Sequence, residues 1–327
     1  RNMDVILADV GGTNVRFALS SVEGTSLHHR TYLRCAEFDS FESACETFVA
    51  QLPDEVRGRQ RILSLAVAGP VNADVVEVSN NAWRFGKRRL LDRLKLDRLL
   101  VINDFTAQAL AQDGAIGKAH MTLADGVADP AAPLLVIGPG TGLGASALIP
   151  LAGGPLPIEG EGGNVSFSPR SDIERDLDSY LRDQTDHVVV ENFVSGPGLE
   201  TIHAFLTRDQ GMLKGVTAER IGETALGEDG TCREAVYLMF GILATVMADH
   251  VLTMGCWRGA VIAGGIMPRL APLIGSSPFV ARFRSAGALS HVMANVPVWL
   301  SMDPDAGLNG ARAALGNPHL AHRMVLR

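Results

Sequence analysis

Four cysteines in 327 residues, Cys35, Cys45, Cys232 and Cys256, are too few and too scattered for a disulfide framework, and no C-x-x-C or cysteine–histidine pairing marks a zinc site. A reducing, cytoplasmic setting suits such usage. Basic residues are also in short supply: 29 Lys and Arg face 36 Asp and Glu, so the formal charge is -7 and no overall positive field draws the chain to nucleic acid or to an anionic membrane. No apolar run reaches the ~20 residues that a bilayer crossing needs. The longest, Val236 to Met247, gives way to Asp249 and His250 and suggests a buried helix. No basic-then-apolar leader opens the sequence, and Arg1 and Asn2, ahead of Met3, are read as additions before the natural start. Also missing are the Walker A pattern, G-x-x-x-x-G-K followed by Ser or Thr, and a G-x-G-x-x-G that opens a helix, which disfavours P-loop nucleotidases and dinucleotide-dependent dehydrogenases.

What is present is material for a large core. Hydrophobic residues make up 46% and charged residues 20%, which excludes a disordered chain, and the length suffices for two ordinary domains. Apolar runs that halt at glycine or asparagine recur along the chain: Asp4 to Ala8, Val15 to Ser20, Arg61 to Ala68, Val75 to Val78, Leu99 to Ile102, Leu134 to Ile137, Ala145 to Ile149, Val261 to Ala263 and Val296 to Leu300. Helical patterns alternate with them at Phe105 to Ala111, Arg233 to Met254 and Leu308 to Leu315, so the spacing predicts a layered α/β fold. A strand–glycine turn–strand element appears near the start and again in mid-chain, a hint of two related halves.

Three glycine turns carry the chemistry. The first, Asp9-Val10-Gly11-Gly12-Thr13-Asn14, sets a carboxylate at a strand end and a hydroxyl four residues on, which suits hydrated Mg²⁺ beside phosphate oxygens and equally suits a type I′ hairpin. The second, Gly138 to Gly144, has glycine at alternate positions, more than a hairpin needs, including Gly140 and Gly142 around Thr141. Gly264-Gly265 forms the third, or is simply a tight strand-to-helix turn. Glycine can take positive φ and lets backbone N–H groups approach an anion, so three such turns could surround a triphosphate. Asp104, beside Asn103 where an apolar strand meets a helix, fits either a helix cap or a base that takes a proton from an attacking hydroxyl. Glu159, Glu161 and Asn164 lie among glycines, and Glu191 stands ahead of Ser195-Gly196-Pro197-Gly198; carboxylates and amides of this kind either face solvent or grip a polyol.

Taken in order, Asp9 to Arg16 (DVGGTNVR), Ala68-Gly69-Pro70, Asn80-Asn81-Ala82-Trp83, Ile102 to Thr106, Gly138 to Gly144, Gly160 to Gly163, Ser195 to Leu199 and Ala263-Gly264-Gly265 resemble the bacterial glucokinase family of ATP-dependent hexose kinases, from Met3 to about Leu315. The resemblance implies a hexokinase-type, actin-like (ribonuclease H-like) fold of two α/β domains flanking a cleft: a small domain over 1–112 completed by 304–327, and a large one over 113–303. It implies Asp104 as catalytic base, with Asn80, Asn81, Asn103, Asp104, Glu161, Asn164 and Glu191 binding substrate. ATP would be held by Asp9, Gly11, Gly12, Thr13, Asn14, Gly140, Thr141, Gly142, Gly264 and Gly265, with Mg²⁺ reached by Asp9 through water.

The implied activity is phosphorylation of glucose at the 6-hydroxyl, the entry to glycolysis, by a cytoplasmic homodimer. One position departs from the family pattern: its glycine motif usually continues to a histidine that contacts the sugar, and Asn164 stands there. A kinase for another hexose, or a weakly active sugar-sensing protein, is the alternative that this departure leaves open. An actin-like ATPase is opposed by Glu161 and Glu191. The related ROK group of sugar kinases and repressors is opposed by the absence of its cysteine cluster and of an N-terminal helix-turn-helix. The nine histidines, His120 and His187 among them, suggest surface or core positions.

Overall fold

Apolar runs bounded by glycine become the central strands of two sheets, buried on both faces as parallel strands are. The computed structural model describes residues 4–114, 120–210 and 215–327; the added start proposed for Arg1 and Asn2 lies outside them. Chain contacts gather Arg1–Ala115, Leu151–Pro157 and Asp303–Arg327 into one unit, and Ile116–Pro150 with Ile158–Met302 into another. Leu151–Pro157, within the segment that the resemblance assigns to the large domain, thus groups with the first unit.

In the first unit the strands are β1 (Val5–Val10), β2 (Asn14–Ser20), β3 (His28–Arg34), β4 (Ile62–Val67), β5 (Val75–Glu77), β6 (Arg84–Gly86) and β7 (Arg98–Asn103). The main sheet runs β3-β2-β1-β4-β7, with Val325–Leu326 antiparallel at the β7 edge, while β5 and β6 pair separately. β1 pairs antiparallel with β2 and parallel with β4, and β4 is parallel to β7. Helices α1 (Phe41–Ala50), α2 (Lys87–Arg93) and α3 (Asp104–Leu110) follow strands, and the C-terminal helix Ala306–Leu315 packs on α3. There Gly310 faces the Ala107 carbonyl so closely that a Cβ has no room. Phe17, Phe41 and Phe48 fill the core between sheet and α1, with the Phe17 and Phe48 rings stacked at 5.0 Å.

The second unit repeats this plan. Its strands are β8 (His120–Ala124), β9 (Leu134–Pro139), β10 (Leu143–Ile149), β11 (Leu156–Gly160, which belongs to this unit from Ile158 on), β12 (Gly259–Ile262) and β13 (Val298–Ser301), ordered β11-β10-β9-β12-β13-β8. β9 is antiparallel to β10 and parallel to β12, which is parallel to β13, and β8 closes the edge antiparallel. Both sheets therefore place the leading strand of a glycine-turn hairpin, β1 or β9, at the centre, with the hairpin partner on one side and two parallel strands on the other. The suspected halves are real as topology.

Around this sheet lie α4 (Asp172–Arg182), α5 (Gly196–Thr207), α6 (Ala218–Gly227), α7 (Thr231–Met254) and α8 (Ile266–Ile274). α7 ends on Gly255 in the left-handed conformation (φ 64°), a glycine stop. Among the described residues it is the one helix long and apolar enough to cross a membrane, but 78% of its most apolar window is buried inside the protein. It is a core helix, as its nearly all-round apolar surface implies.

Candidate active site

In the first unit, the β1–β2 turn, the turn after β5 and the start of α3 converge. Partners Val10 and Val15 close a loop from Gly11 to Asn14, in which Gly11 N–H donates to the Asn14 carbonyl at 2.9 Å. Cys35 supports the loop from beside it: its N–H donates to the Thr13 carbonyl (2.8 Å), and its thiol lies 3.8 Å from the Gly11 carbonyl. A two-residue type I′ turn is excluded, and neither Gly11 nor Gly12 has positive φ. Gly12 is instead a matter of space, because a Cβ there would come within 3.1 Å of the Asn80 Cβ and carbonyl oxygen. Asn80 itself sits at φ 57°, a region asparagine tolerates better than most residues. The Asn81 carboxamide oxygen accepts from Trp83 N–H at 2.8 Å, tying that turn to the core.

The N-cap of α3 is Asn103 rather than Asp104. Its side-chain oxygen caps α3, accepting from Phe105 N–H (2.9 Å) and Thr106 N–H (3.4 Å), while its amide donates to the Gly69 carbonyl at 3.0 Å. Gly69 has φ 125°, and a Cβ would lie 2.8 Å from the Glu77 carbonyl, so this glycine is required twice over. Asp104 is the first residue inside the helix, half-buried, with Oδ1 accepting from Phe105 N–H at 2.8 Å.

Asp9 is the electrostatic centre of this unit. It stands opposite Arg16 in the β1–β2 register. Burial pushes its carboxyl up; Arg16 opposes the rise and the nearby Asp104 adds to it, leaving the group at about 6 against an ordinary 3.8. Arg16 also donates from Nη1 to the Pro304 carbonyl at 2.9 Å, just before the C-terminal helix. On that helix Gly307 lies directly against the Asp9 carboxylate, where any Cβ would collide with Oδ2. Gly307 escapes a sequence reading because it is remote from Asp9 along the chain; the small residues of its helix, Ala306, Gly307, Gly310 and Ala311, are the available signal.

In the second unit, Pro139 and Leu143 are partners across the β9–β10 turn, and Gly140 N–H donates to the Gly142 carbonyl at 2.8 Å. Positive φ is again not used at Gly140, Gly142 or Gly144. Gly142 lacks a side chain for another reason: a Cβ would lie 2.6 Å from Oε2 of Glu191. That carboxylate oxygen accepts from Leu143 N–H at 2.8 Å, so the second glycine turn and Glu191 are one assembly. The expectation of left-handed glycine holds only at the third turn. Gly264 follows β12 with φ 100°, and a Cβ would meet the Pro139 carbonyl at 2.9 Å. Thr141 and Gly265 are exposed.

The Glu161–Asn164 turn follows β11. Asn164 N–H donates to the Glu161 carbonyl at 2.9 Å, Glu161 bridges to Ala145 of β10, and Gly163 is pressed against Leu143 with no space for a Cβ. The Glu161 and Asn164 side chains are exposed. His250, at the end of α7, reaches the turn with Nε2 3.0 Å from the Gly162 carbonyl. Nothing in the His250 sequence context distinguishes it from the other histidines, whereas His187 is exposed and pairs with Ser166.

Solved structures share the fold. A glucokinase from an Antarctic psychrotroph superposes with a TM-score of 0.83 at 31% identity, covering 96% of this chain and 98% of that one. A ROK family glucokinase from Streptomyces griseus, solved with glucose and AMPPNP, has the same fold at 19% identity (TM-score 0.65, 94% and 97% covered). Two ribonuclease H-like sheets with glycine turns at the ends of their central strands, and a carboxylate opening the helix after β7, define an actin-like sugar kinase. The family model described as Glucokinase matches residues 6–318. The glucokinase of Helicobacter pylori strain J99 is 37% identical over 98% of this chain and 97% of its own length. The chain belongs to the glucokinase family.

Proposed function

We propose that this chain transfers the γ-phosphoryl group of ATP to the 6-hydroxyl of glucose, giving glucose 6-phosphate and ADP. The observation that supports the reading is the start of α3, where Asn103 caps the helix and the adjoining half-buried Asp104 carboxylate, with Oδ1 accepting from Phe105 N–H, lies close enough to Asp9 to raise its pKa. In the step, the hydroxyl O–H breaks, its oxygen bonds phosphorus, the bond from phosphorus to the β–γ bridging oxygen breaks, and Asp104 takes the proton. Support for both substrates comes from the Streptomyces griseus relative, solved with glucose and AMPPNP.

Asn80, Asn81, Asn103, Glu161, Asn164 and Glu191 hold the sugar on this reading. Asn103 has both ends of its carboxamide committed, so it contributes through the remaining Nδ2 hydrogen. Glu191 contributes through Oε1, since Oε2 holds Leu143 N–H. Phosphate oxygens meet the turn amides at Gly12, Thr13, Thr141 and Gly265 and the hydroxyls of Thr13 and Thr141, while Gly11, Gly140, Gly142 and Gly264 shape those turns. Mg²⁺ fits the donor at Asp9, whose carboxylate oxygens are hard ligands that would reach the ion through water. When bound it supplies charge neutralisation between the phosphates. A cytoplasmic, glycolytic homodimer completes the proposal.

The test is a coupled assay of purified protein with MgATP across glucose, mannose, fructose, glucosamine and N-acetylglucosamine. Glucose should show the highest kcat/KM with one ADP per sugar. Glucose binding without sugar-dependent ADP release, together with an Asp104→Asn variant that behaves like the parent, would overturn the reading.

A further inference from the structure

Glu161 and Asn164 are exposed, so few packing contacts hold their side chains and the backbone of their turn decides where they point. That backbone is fastened on one side to β10, through the Glu161–Ala145 bridge and the contact of Gly163 with Leu143. On the other side it is fastened by His250. The Nε2 atom lies 3.0 Å from the Gly162 carbonyl, an acceptor, which requires Nε2 to carry the hydrogen. A Cβ at Gly162 would come within 2.8 Å of both Ala145 Cβ and His250 Nε2, so the turn is seated between strand and imidazole with no slack. The imidazole in turn belongs to α7, a helix of 24 residues whose middle is buried in the core. Rigid support of this kind places a binding group more closely than a loop alone does.

We propose that His250 is a positioning residue for sugar binding: its hydrogen bond to the Gly162 carbonyl fixes the Glu161–Asn164 turn so that the carboxylate and the amide are presented together to the sugar. The proposal rests on the functional reading above, and it concerns affinity for the sugar rather than the phosphoryl-transfer step. His250 acts through backbone and touches no substrate. Asn164 makes such an anchor more consequential, since a side chain this short cannot compensate for a displaced backbone by reaching further.

The experiment compares His250→Ala and His250→Gln with the parent. A glutamine Nε2 can donate to the same carbonyl. His250→Ala should raise the KM and the calorimetric Kd for glucose about 3- to 10-fold, the effect of one net hydrogen bond. The kcat and the KM for ATP should stay within about twofold, and His250→Gln should recover most of the sugar affinity. Hydrogen exchange of the amides from Gly162 to Val165 in the sugar-free enzyme should quicken in His250→Ala and return toward the parent rate in His250→Gln. Unchanged glucose affinity in His250→Ala, equal losses for glucose and ATP, or equal losses in the two variants would each overturn the role of His250 while parental turnover stands. A parent that turns over no hexose would bring down the functional reading itself.

Discussion

Replacing Asp9 with Asn should make the protein both more stable and less active. The carboxyl rises from 3.8 to about 6 on folding, chiefly because burial disfavours its charged form. An acid whose pKa is raised in the folded state binds its proton more tightly there, so its contribution is favourable at low pH and is lost as pH climbs from about 4 through 6. Once both states are ionised, the charge costs the fold about 3 kcal/mol, at 1.36 kcal/mol for each tenfold change. Asp9→Asn removes that cost while keeping the shape that fits against Gly307. Urea unfolding at pH 7.5 should show a gain approaching about 3 kcal/mol, and at pH 4.0 the gain should nearly vanish. Turnover with MgATP should fall at the same time. An Asn variant no more stable than the parent at pH 7.5, or equally stabilised at both pH values, would refute the argument.

Three other outcomes are expected. Asp104→Ala should lower kcat at least ~10²-fold with little change in the KM for glucose, read from steady-state kinetics. Gly142→Ala puts a Cβ 2.6 Å from Oε2 of Glu191 and forces that carboxylate off Leu143; the KM for glucose should rise roughly tenfold, and an unmoved KM would detach Glu191 from the sugar. Cys45 and Cys256 are buried, which pushes both thiols up to about 12, so neither should react with a chromogenic disulfide in native protein at pH 8, whereas both should do so in guanidinium.

The central strands are legible because parallel strands buried on both faces show as uninterrupted apolar runs. Leu134 to Ile137 is recognisable for that reason, and the structure merely extends it to Pro139. β3, His28–Arg34, is hard to see: it is an edge strand of mostly polar residues whose pairing to β2 shifts register. The glycine turns are visible as sequence, but their mechanics are not. Alternating glycines suggest left-handed backbone, whereas Gly12 and Gly142 lack side chains because Asn80 and Glu191 occupy the space. Long-range steric demands of this kind leave no local mark. The same holds for Gly307 against Asp9 and for His250 against the Gly162 carbonyl, contacts between segments far apart in the chain.

The position of the C-terminal helix bears on how the protein is made. Arg16 reaches Pro304, Gly307 abuts Asp9, and Gly310 fits against Ala107, so the first unit borrows a wall from Ala306–Leu315. During translation the opening sheet would emerge early and wait, with its α3 side uncovered, through the synthesis of nearly the whole remaining polypeptide. Ribosome-bound chains that stop before Ala306 and carry a linker long enough to clear the exit tunnel should therefore hold the second unit protected from protease while the first is still cut, reversing the usual order in which early segments settle first.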